Sequence, residues 1–377
     1  MDAKPDPPIS VQIVDPPAWT PPYDHALSAA LARAGAEVEL VTTDFPLTAV
    51  PEGAGYAVRS RFYRGSAWVP AAARRALKLA EHVPDMLAYR RHARRADVVH
   101  LQWLTFPVVD VHLLPRGRPL VFTAHDVPLR QPRRGEREAL RRLLHTVDAV
   151  VVHSRYGARF LSEEMGAPAE RVHVVPHGAF DYLTRLPAER PLDDELAAVE
   201  GPVILFFGLL RSYKGLDVLL DAFRDIDGAE LWIVGLPLLP LEELRARASG
   251  SRGRVRFIPR FVDDAEVPAL FRRADVVALP YRQIDQSGVV HVALAFGKPL
   301  VLSRVGGFTE LGEEHDAALL VEPGDVDGLR AALSGLIDDP SARDRLAAAA
   351  AAAAARHLSC DAAAARTLDV YREVLCR

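Results

Sequence analysis

A chain of 377 residues with 49% hydrophobic and 25% charged residues has ordinary globular composition, which excludes a fibrous or wholly disordered protein. At about 150 residues per domain the length predicts two domains of comparable size. With 46 basic against 50 acidic side chains the formal charge is −4, too weak a field to draw the whole molecule onto nucleic acid. Cys360 and Cys376, the only cysteines, sit near the end of the chain and can form neither a disulfide framework nor a metal site alone. With no apolar secretory core at the start and no apolar run long enough to span a bilayer, a cytoplasmic location is expected.

In chain order, short runs rich in Val, Ile and Phe alternate with helical patterns, which predicts parallel sheets covered by helices on both faces. Strands are predicted over 11–14, 38–42, 98–102, 120–124, 149–153 and 172–175, with helices over 25–34, 71–93, 136–145 and 157–165. Residues 183–201 carry Pro187 and Pro191 with no period and read as a linker. Strands follow over 203–207, 230–234, 255–258, 276–279, 300–302 and 318–321, with helices over 216–224, 241–248, 267–272 and 289–296. Beyond Gly324 only helices are expected, and the alanine run Ala347–Ala355 reads as scaffold helix, alanine having the best helix propensity. The predicted architecture is α/β, with two doubly wound Rossmann-like domains, 1–182 and 202–357, whose parallel sheets face each other across a cleft. The last segment, 358–377, is a helix that can pack back on the first domain.

Ligands of such sheets sit beyond the carboxyl ends of the strands. There, the strand Ile204–Phe207 runs into Gly208, then Arg211, Ser212, Tyr213, Lys214 and Gly215, then an amphipathic helix. A glycine that lets a ligand reach the backbone, two cations and a helix N-terminus make an anion site; arginine grips phosphate bidentately and lysine acts as a point charge. The alternative is a turn whose cations are merely solvated. A second small-residue loop, Asp285-Gln286-Ser287-Gly288-Val289, also opens a helix at a strand's carboxyl end, and two such loops can clamp a diphosphate. Its bland reading is a helix capped by Ser287.

These two loops, with Gly297-Lys298-Pro299, Val305-Gly306-Gly307 and Glu310, and with Val174-Val175-Pro176-His177-Gly178 before the linker, resemble the retaining glycosyltransferases of family 4, which have the GT-B fold. The resemblance runs from about Val98 onward and is closest between Pro202 and Glu310. It implies a nucleotide-diphosphate sugar donor (UDP-, GDP- or dTDP-linked) on the second domain and a small-molecule, glycan or lipid-linked acceptor on the first, with no cofactor and no metal. Carried over by position, Gly208, Arg211, Lys214, Asp285, Gln286, Ser287, Gly288, Val289 and Glu310 would bind the donor, and Arg211, Lys214 and His125 would be catalytic, His125 facing the transferred sugar.

The sequence departs from the family pattern in three places. Leu209 follows the first glycine where arginine is common, and Ile284 and Val292 occupy the positions of the usual glutamate pair, which suggests a branch with Gln-Ser-Gly in this loop. The family's glycine-rich loop after the first strand is replaced by a stiff aromatic one, where Trp19 and Tyr23 could stack on an acceptor and Asp24 and His25 hydrogen-bond its hydroxyls; otherwise the prolines simply fix a turn and Asp24 caps the helix. Asp325-Val326-Asp327 looks like a metal-binding pair but opens a helix, where acids favour the dipole, so no required metal is expected. The basic cluster Arg74, Arg75, Lys78, Arg90, Arg91, Arg94 and Arg95 is a solvated face, a peripheral contact with an anionic membrane or a surface that meets a phosphorylated acceptor, and Arg130, Arg133 and Arg134 could favour an anionic acceptor. Two other readings fit a diphosphate site: an epimerase or phosphorylase on the same scaffold, and a non-catalytic sugar-nucleotide binding protein.

Overall fold

The computed structural model describes residues 7–44, 55–66, 71–128 and 132–377, the side chains of 71–75 excepted. The chain forms two compact units, one made of residues up to Gly178 together with Cys360–Arg377, the other of Ala179–Ser359.

The first unit is built on seven parallel strands: β1 (Ser10–Asp15), β2 (Glu37–Thr42), β3 (Ala57–Ser60), β4 (Val98–Leu101), β5 (Leu120–Thr123), β6 (Ala149–Val152) and β7 (Val172–Val174). Their order, β3-β2-β1-β4-β5-β6-β7, reverses between β1 and β4. Every residue of β4, β5 and β6 is buried, as strands covered on both faces require. The edge strand β3 is absent from the sequence prediction because Ala57, Val58 and Arg59 are exposed, so no apolar run marks it.

The second unit repeats the design with six parallel strands, β8 (Val203–Phe207), β9 (Glu230–Val234), β10 (Arg254–Ile258), β11 (Val276–Leu279), β12 (Leu300–Ser303) and β13 (Leu319–Val321), in the order β10-β9-β8-β11-β12-β13. The order reverses between β8 and β11, so the loops that follow these two strands share the switch point. Residues 183–201 are fastened to this unit rather than strung between domains: Arg190 pairs with Asp263 and Glu266, and Glu195 with Arg254 and Arg256. Such polar straps carry no period, which is why the sequence reads there as linker.

The alanine run lies in the helix Pro340–Arg356. The last helix, Cys360–Cys376, belongs to the first unit and packs on the helix Pro21–Arg33. Its Tyr371 hydroxyl meets His100 Nδ1 of β4 at 2.7 Å, and Ala363, Ala364, Leu368 and Val374 are buried beneath it. Among the described residues no helix is long and apolar enough to cross a membrane.

Candidate functional site

In the second unit the chain leaves β8 at Gly208, whose φ of +106° is a left-handed conformation that favours glycine. A Cβ there would lie 3.1 Å from Lys214 Nζ and 3.0 Å from Val289 Cγ2, so this one backbone position touches both predicted loops. Lys214 is buried, with its ammonium 5.0 Å from the Tyr281 ring and 6.0 Å from the Phe206 ring, a placement that the aromatic faces stabilise. Arg211 is exposed at the start of the same turn. The turn is held by Arg282, whose guanidinium donates to the Ser212 carbonyl (3.1 Å) and to both Asp217 oxygens (2.9 and 2.5 Å), while its backbone N–H donates to Tyr213 O (2.8 Å). Arg282 holds the Asp217 carboxyl below its usual range.

The second loop leads into the helix Gly288–Ala295. Ser287 occupies the cap position with extended backbone, yet its side chain makes no capping hydrogen bond. That corrects the capped-helix reading: the first-turn N–H groups are not satisfied by the serine, as an anion site at a helix N-terminus requires. Gln286 Oε1 instead faces His291 Nε2 at 3.1 Å, one turn into the helix. Asp285 is buried and its carbonyl accepts from Gly307 N (3.0 Å), which ties this loop to the Val305–Gly307 turn and to Glu310 in the helix Phe308–Glu313. Ile284 and Val292 are buried at 4% and 8% exposure, so the positions of the usual glutamates serve the core here.

The first unit gathers its own cluster at the carboxyl edge of its sheet. Asp15 ends β1, Gln102 and Trp103 follow β4, His125 follows β5, His153 follows β6 and His177 follows β7. Tyr23, in the first turn of its helix, stands among the three imidazoles, with ring centroids 4.9 Å from His125, 5.2 Å from His153 and 4.9 Å from His177. Trp103 stacks on His125 at 5.1 Å and meets Trp19 edge-on at 5.1 Å. His125 Nε2 lies 2.9 Å from Gln102 Oε1, an oxygen that can only accept, so the proton sits on Nε2. Burial, with His153 and His100 nearby, holds His125 well below the ordinary histidine range; burial takes His153 down to about 4 and His100 to about 3. His125, His153 and His100 are therefore neutral at neutral pH.

Beneath the aromatic loop, Asp15 accepts from the backbone N–H groups of Trp19 (2.8 Å) and Thr20 (3.2 Å), and Thr20 Oγ1 accepts from Trp103 Nε1 (2.9 Å). Burial raises both Asp15 and Asp24, and Asp24, with the Asp15 charge beside it, stands well above the carboxylate range and donates its retained proton to Asp15.

Of the four acceptor residues expected in this loop, only Trp19 is exposed, at 55%. Tyr23, expected to stack on an acceptor, and Asp24 and His25, expected to hydrogen-bond its hydroxyls, are buried, His25 against the Tyr56 hydroxyl. They support the loop from below, because burying a carboxyl pair with one shared proton fixes the backbone that bonds to it. Asp24 does not cap the helix either, since Thr20 holds that position. Asp325 does cap its helix, accepting from Gly328 N at 2.9 Å, and among the described residues no cluster of three ligand-type side chains could hold a metal ion. Arg130 and the side chains of Arg74 and Arg75 lie outside the described residues; Arg133 and Arg134 are exposed. Asp15, Gln102, Trp103 and His153 are absent from the sequence-based site, and His177 entered it only as part of the linker motif. Each ends or closely follows a predicted strand, a signal that reading all the carboxyl ends would have caught.

Residues 23–179 match the family model described as Glycosyltransferase Family 4, and residues 201–339 match the model described as Glycosyl transferases group 1. The chain is 32% identical to D-inositol 3-phosphate glycosyltransferase of Xylanimonas cellulosilytica over 93% of its own length and 90% of that protein's. It is 30% identical to GDP-mannose:glycolipid 4-beta-D-mannosyltransferase of Xanthomonas campestris pv. campestris, over 66% of this chain and 76% of the other. Among solved structures, sucrose-phosphate synthase from Thermosynechococcus elongatus superposes with a TM-score of 0.76 at 19% identity, covering 98% of this chain and 99% of that one. Anabaena HepE in complex with UDP and glucose superposes with a TM-score of 0.74 at 19% identity, covering 97% and 100%. Both share the fold.

Proposed function

Because this chain belongs to glycosyltransferase family 4, we propose that it moves a sugar from a nucleotide-diphosphate donor to an acceptor hydroxyl, retaining the anomeric configuration and using no metal. The observation that carries this reading is the buried Lys214 ammonium set against Gly208 and Val289, where one lysine, one bare stretch of backbone and one uncapped helix start converge. That convergence suits a diphosphate, with Lys214 and Arg211 facing its charge and the N–H groups around Ser287, Gly288 and Val289 facing its distal phosphate.

In the proposed reaction the bond between the anomeric carbon and the diphosphate oxygen breaks, leaving an oxocarbenium-like sugar and an anionic diphosphate. Lys214, Arg211 and the helix N-terminus stabilise the charge that develops on that leaving group. The acceptor oxygen bonds to the anomeric carbon on the face the diphosphate leaves, and the acceptor proton passes to a diphosphate oxygen. No pair of catalytic carboxylates is needed for this route. The neutral His125, with its Nε2 proton committed to Gln102, keeps a lone pair on Nδ1 for a sugar hydroxyl. The acceptor is assigned to the first unit, where Trp19 offers an exposed ring and His125 and His153 carry no charge, features that suit hydroxyl-rich molecules.

A thermal-shift panel of UDP-, GDP- and dTDP-sugars identifies the donor, since a ligand that binds only the native state raises its apparent stability. With that donor, Lys214→Ala is expected to lose about 10²-fold or more in turnover while melting normally. Turnover unchanged by Lys214→Ala refutes the assigned role, and a product of inverted anomeric configuration, read by NMR coupling constants, refutes retention.

A further inference from the structure

The helix Ala71–His92 has an outer face unlike that of an ordinary surface helix, which turns polar residues to water. Between residues 79 and 88 every fully exposed position is apolar: Leu79, Ala80, Val83, Pro84, Leu87 and Ala88. Leu79, Val83 and Leu87, four residues apart and so aligned along one stripe, are 54%, 39% and 43% exposed. The inner face is already satisfied, with His82, Met86 and Tyr89 buried and His82 bonded to Asp110 and Tyr63.

The charges around this stripe are sorted. Its two acids are committed elsewhere: Glu81 accepts from the backbone N–H groups of Gly65 (2.7 Å) and Ser66 (3.0 Å), and Asp85 from that of Tyr63 (2.8 Å). Directly beyond the stripe, Arg91, Arg94 and Arg95 are exposed, and none has an ion-pair partner among the described residues. Arg118 adds a fourth guanidinium, donating to the Arg94 carbonyl at 2.9 Å. Asp97, which feels the Arg118 charge, accepts from Ser10. A contiguous apolar stripe that ends in arginines is the pattern of a helix lying in a membrane interface, its apolar side chains among the acyl chains and its cations at the headgroups. A second copy of this chain would offer the same stripe and the same arginines, with no uncommitted acid among the described residues 76–92 to receive them.

We propose that this face docks the first unit on a bilayer carrying anionic headgroups. The proposal goes beyond the sugar-transfer reading and stands independently of it. The test is co-sedimentation of the full chain with vesicles of phosphatidylglycerol mixed with phosphatidylcholine, set against phosphatidylcholine alone. Wild type is expected to sediment with the anionic vesicles and to be released by salt. Exchanging Arg91, Arg94 and Arg95 for glutamine is expected to weaken partitioning about 10²-fold, at about five-fold per arginine near an anionic surface. Leu79→Ser with Leu87→Ser should reduce it to background, and because both side chains are exposed, far-UV circular dichroism and melting should match wild type. No sedimentation above the lipid-free control, equal partitioning to both vesicle types, or a lipid-free dimer that Leu79→Ser with Leu87→Ser dissolves while vesicles fail to bind would each overturn the proposal. The assay reads lipid binding without turnover, so its failure and a failure of sugar transfer are distinguishable.

Discussion

Asp24 and the histidines pull the stability of the first unit in opposite directions with pH. The fold keeps Asp24 protonated, so between its ordinary pKa of 3.8 and its raised one the native state binds more protons than the unfolded chain, and stability falls as pH rises through that window. His100 and His153 are held neutral down to about 3 and about 4; from their ordinary 6.5 down to those values the unfolded chain binds more protons, and stability falls as pH drops. Asp24→Asn keeps a donor toward Asp15 but removes the first effect. Urea denaturation at about pH 5 and about pH 8 should therefore show the variant gaining stability relative to wild type at the higher pH, while its acid-side decline persists. A relative loss at the higher pH would show that Asp24 is ionised in the folded protein. None of this was legible in the sequence. Asp24 and His25 look like exposed loop residues there, and only the packing of three imidazoles around Tyr23 shows that the loop's polar groups face inward.

Among the described residues, twelve of the thirteen strands fall where apolar runs predict them, within a residue or two at their ends; for β5, β6, β8 and β11 the reason is burial on both faces, which demands nearly continuous apolar residues. The exposed edge strand β3 escapes that logic. The turns of the proposed donor site were legible for a different reason: close backbone approach demands glycine and leaves a mark in the sequence. At Gly235, with φ of +145°, a Cβ would sit 1.9 Å from the Gly208 carbonyl oxygen, so the turns after β8 and β9 interlock backbone against backbone. Gly235→Ala must displace Gly208 and with it the surroundings of Lys214. It is expected to cost about 1–3 kcal/mol of stability in thermal melts and, measured by calorimetry, to weaken nucleotide-sugar binding more than Ala substitution at Gly335, where a Cβ meets open space. Arg282, by contrast, stayed hidden because its partners, Ser212 O, Tyr213 O and Asp217, lie about seventy residues away in sequence and mostly bond through backbone. Its exposed pair with Asp217 is worth at most about 1 kcal/mol, so its importance is in the shape of the turn.

Across the whole molecule, the two-unit organisation follows from chain length and strand alternation, while the break between the units, at Gly178, falls before the residues 183–201 that read as linker. The first unit is discontinuous, completed by Cys360–Arg377, within the segment 358–377 expected to be a helix able to pack back on it. Leu368, Val370 and Val374 of that helix are 5%, 5% and 4% exposed, and at about 1.5–3 kcal/mol each their loss removes about 5–9 kcal/mol, comparable to the stability of a whole domain. Ending the chain at Ser359 should therefore leave the second unit resistant to limited proteolysis while the first is digested; equal resistance of both would show that the helix is dispensable. The same arrangement sets an order of assembly during translation. The second unit is contiguous and can close once residue 359 clears the ribosome, but the first, though synthesised earlier, cannot be finished until residues 360–377 have also emerged from the exit tunnel.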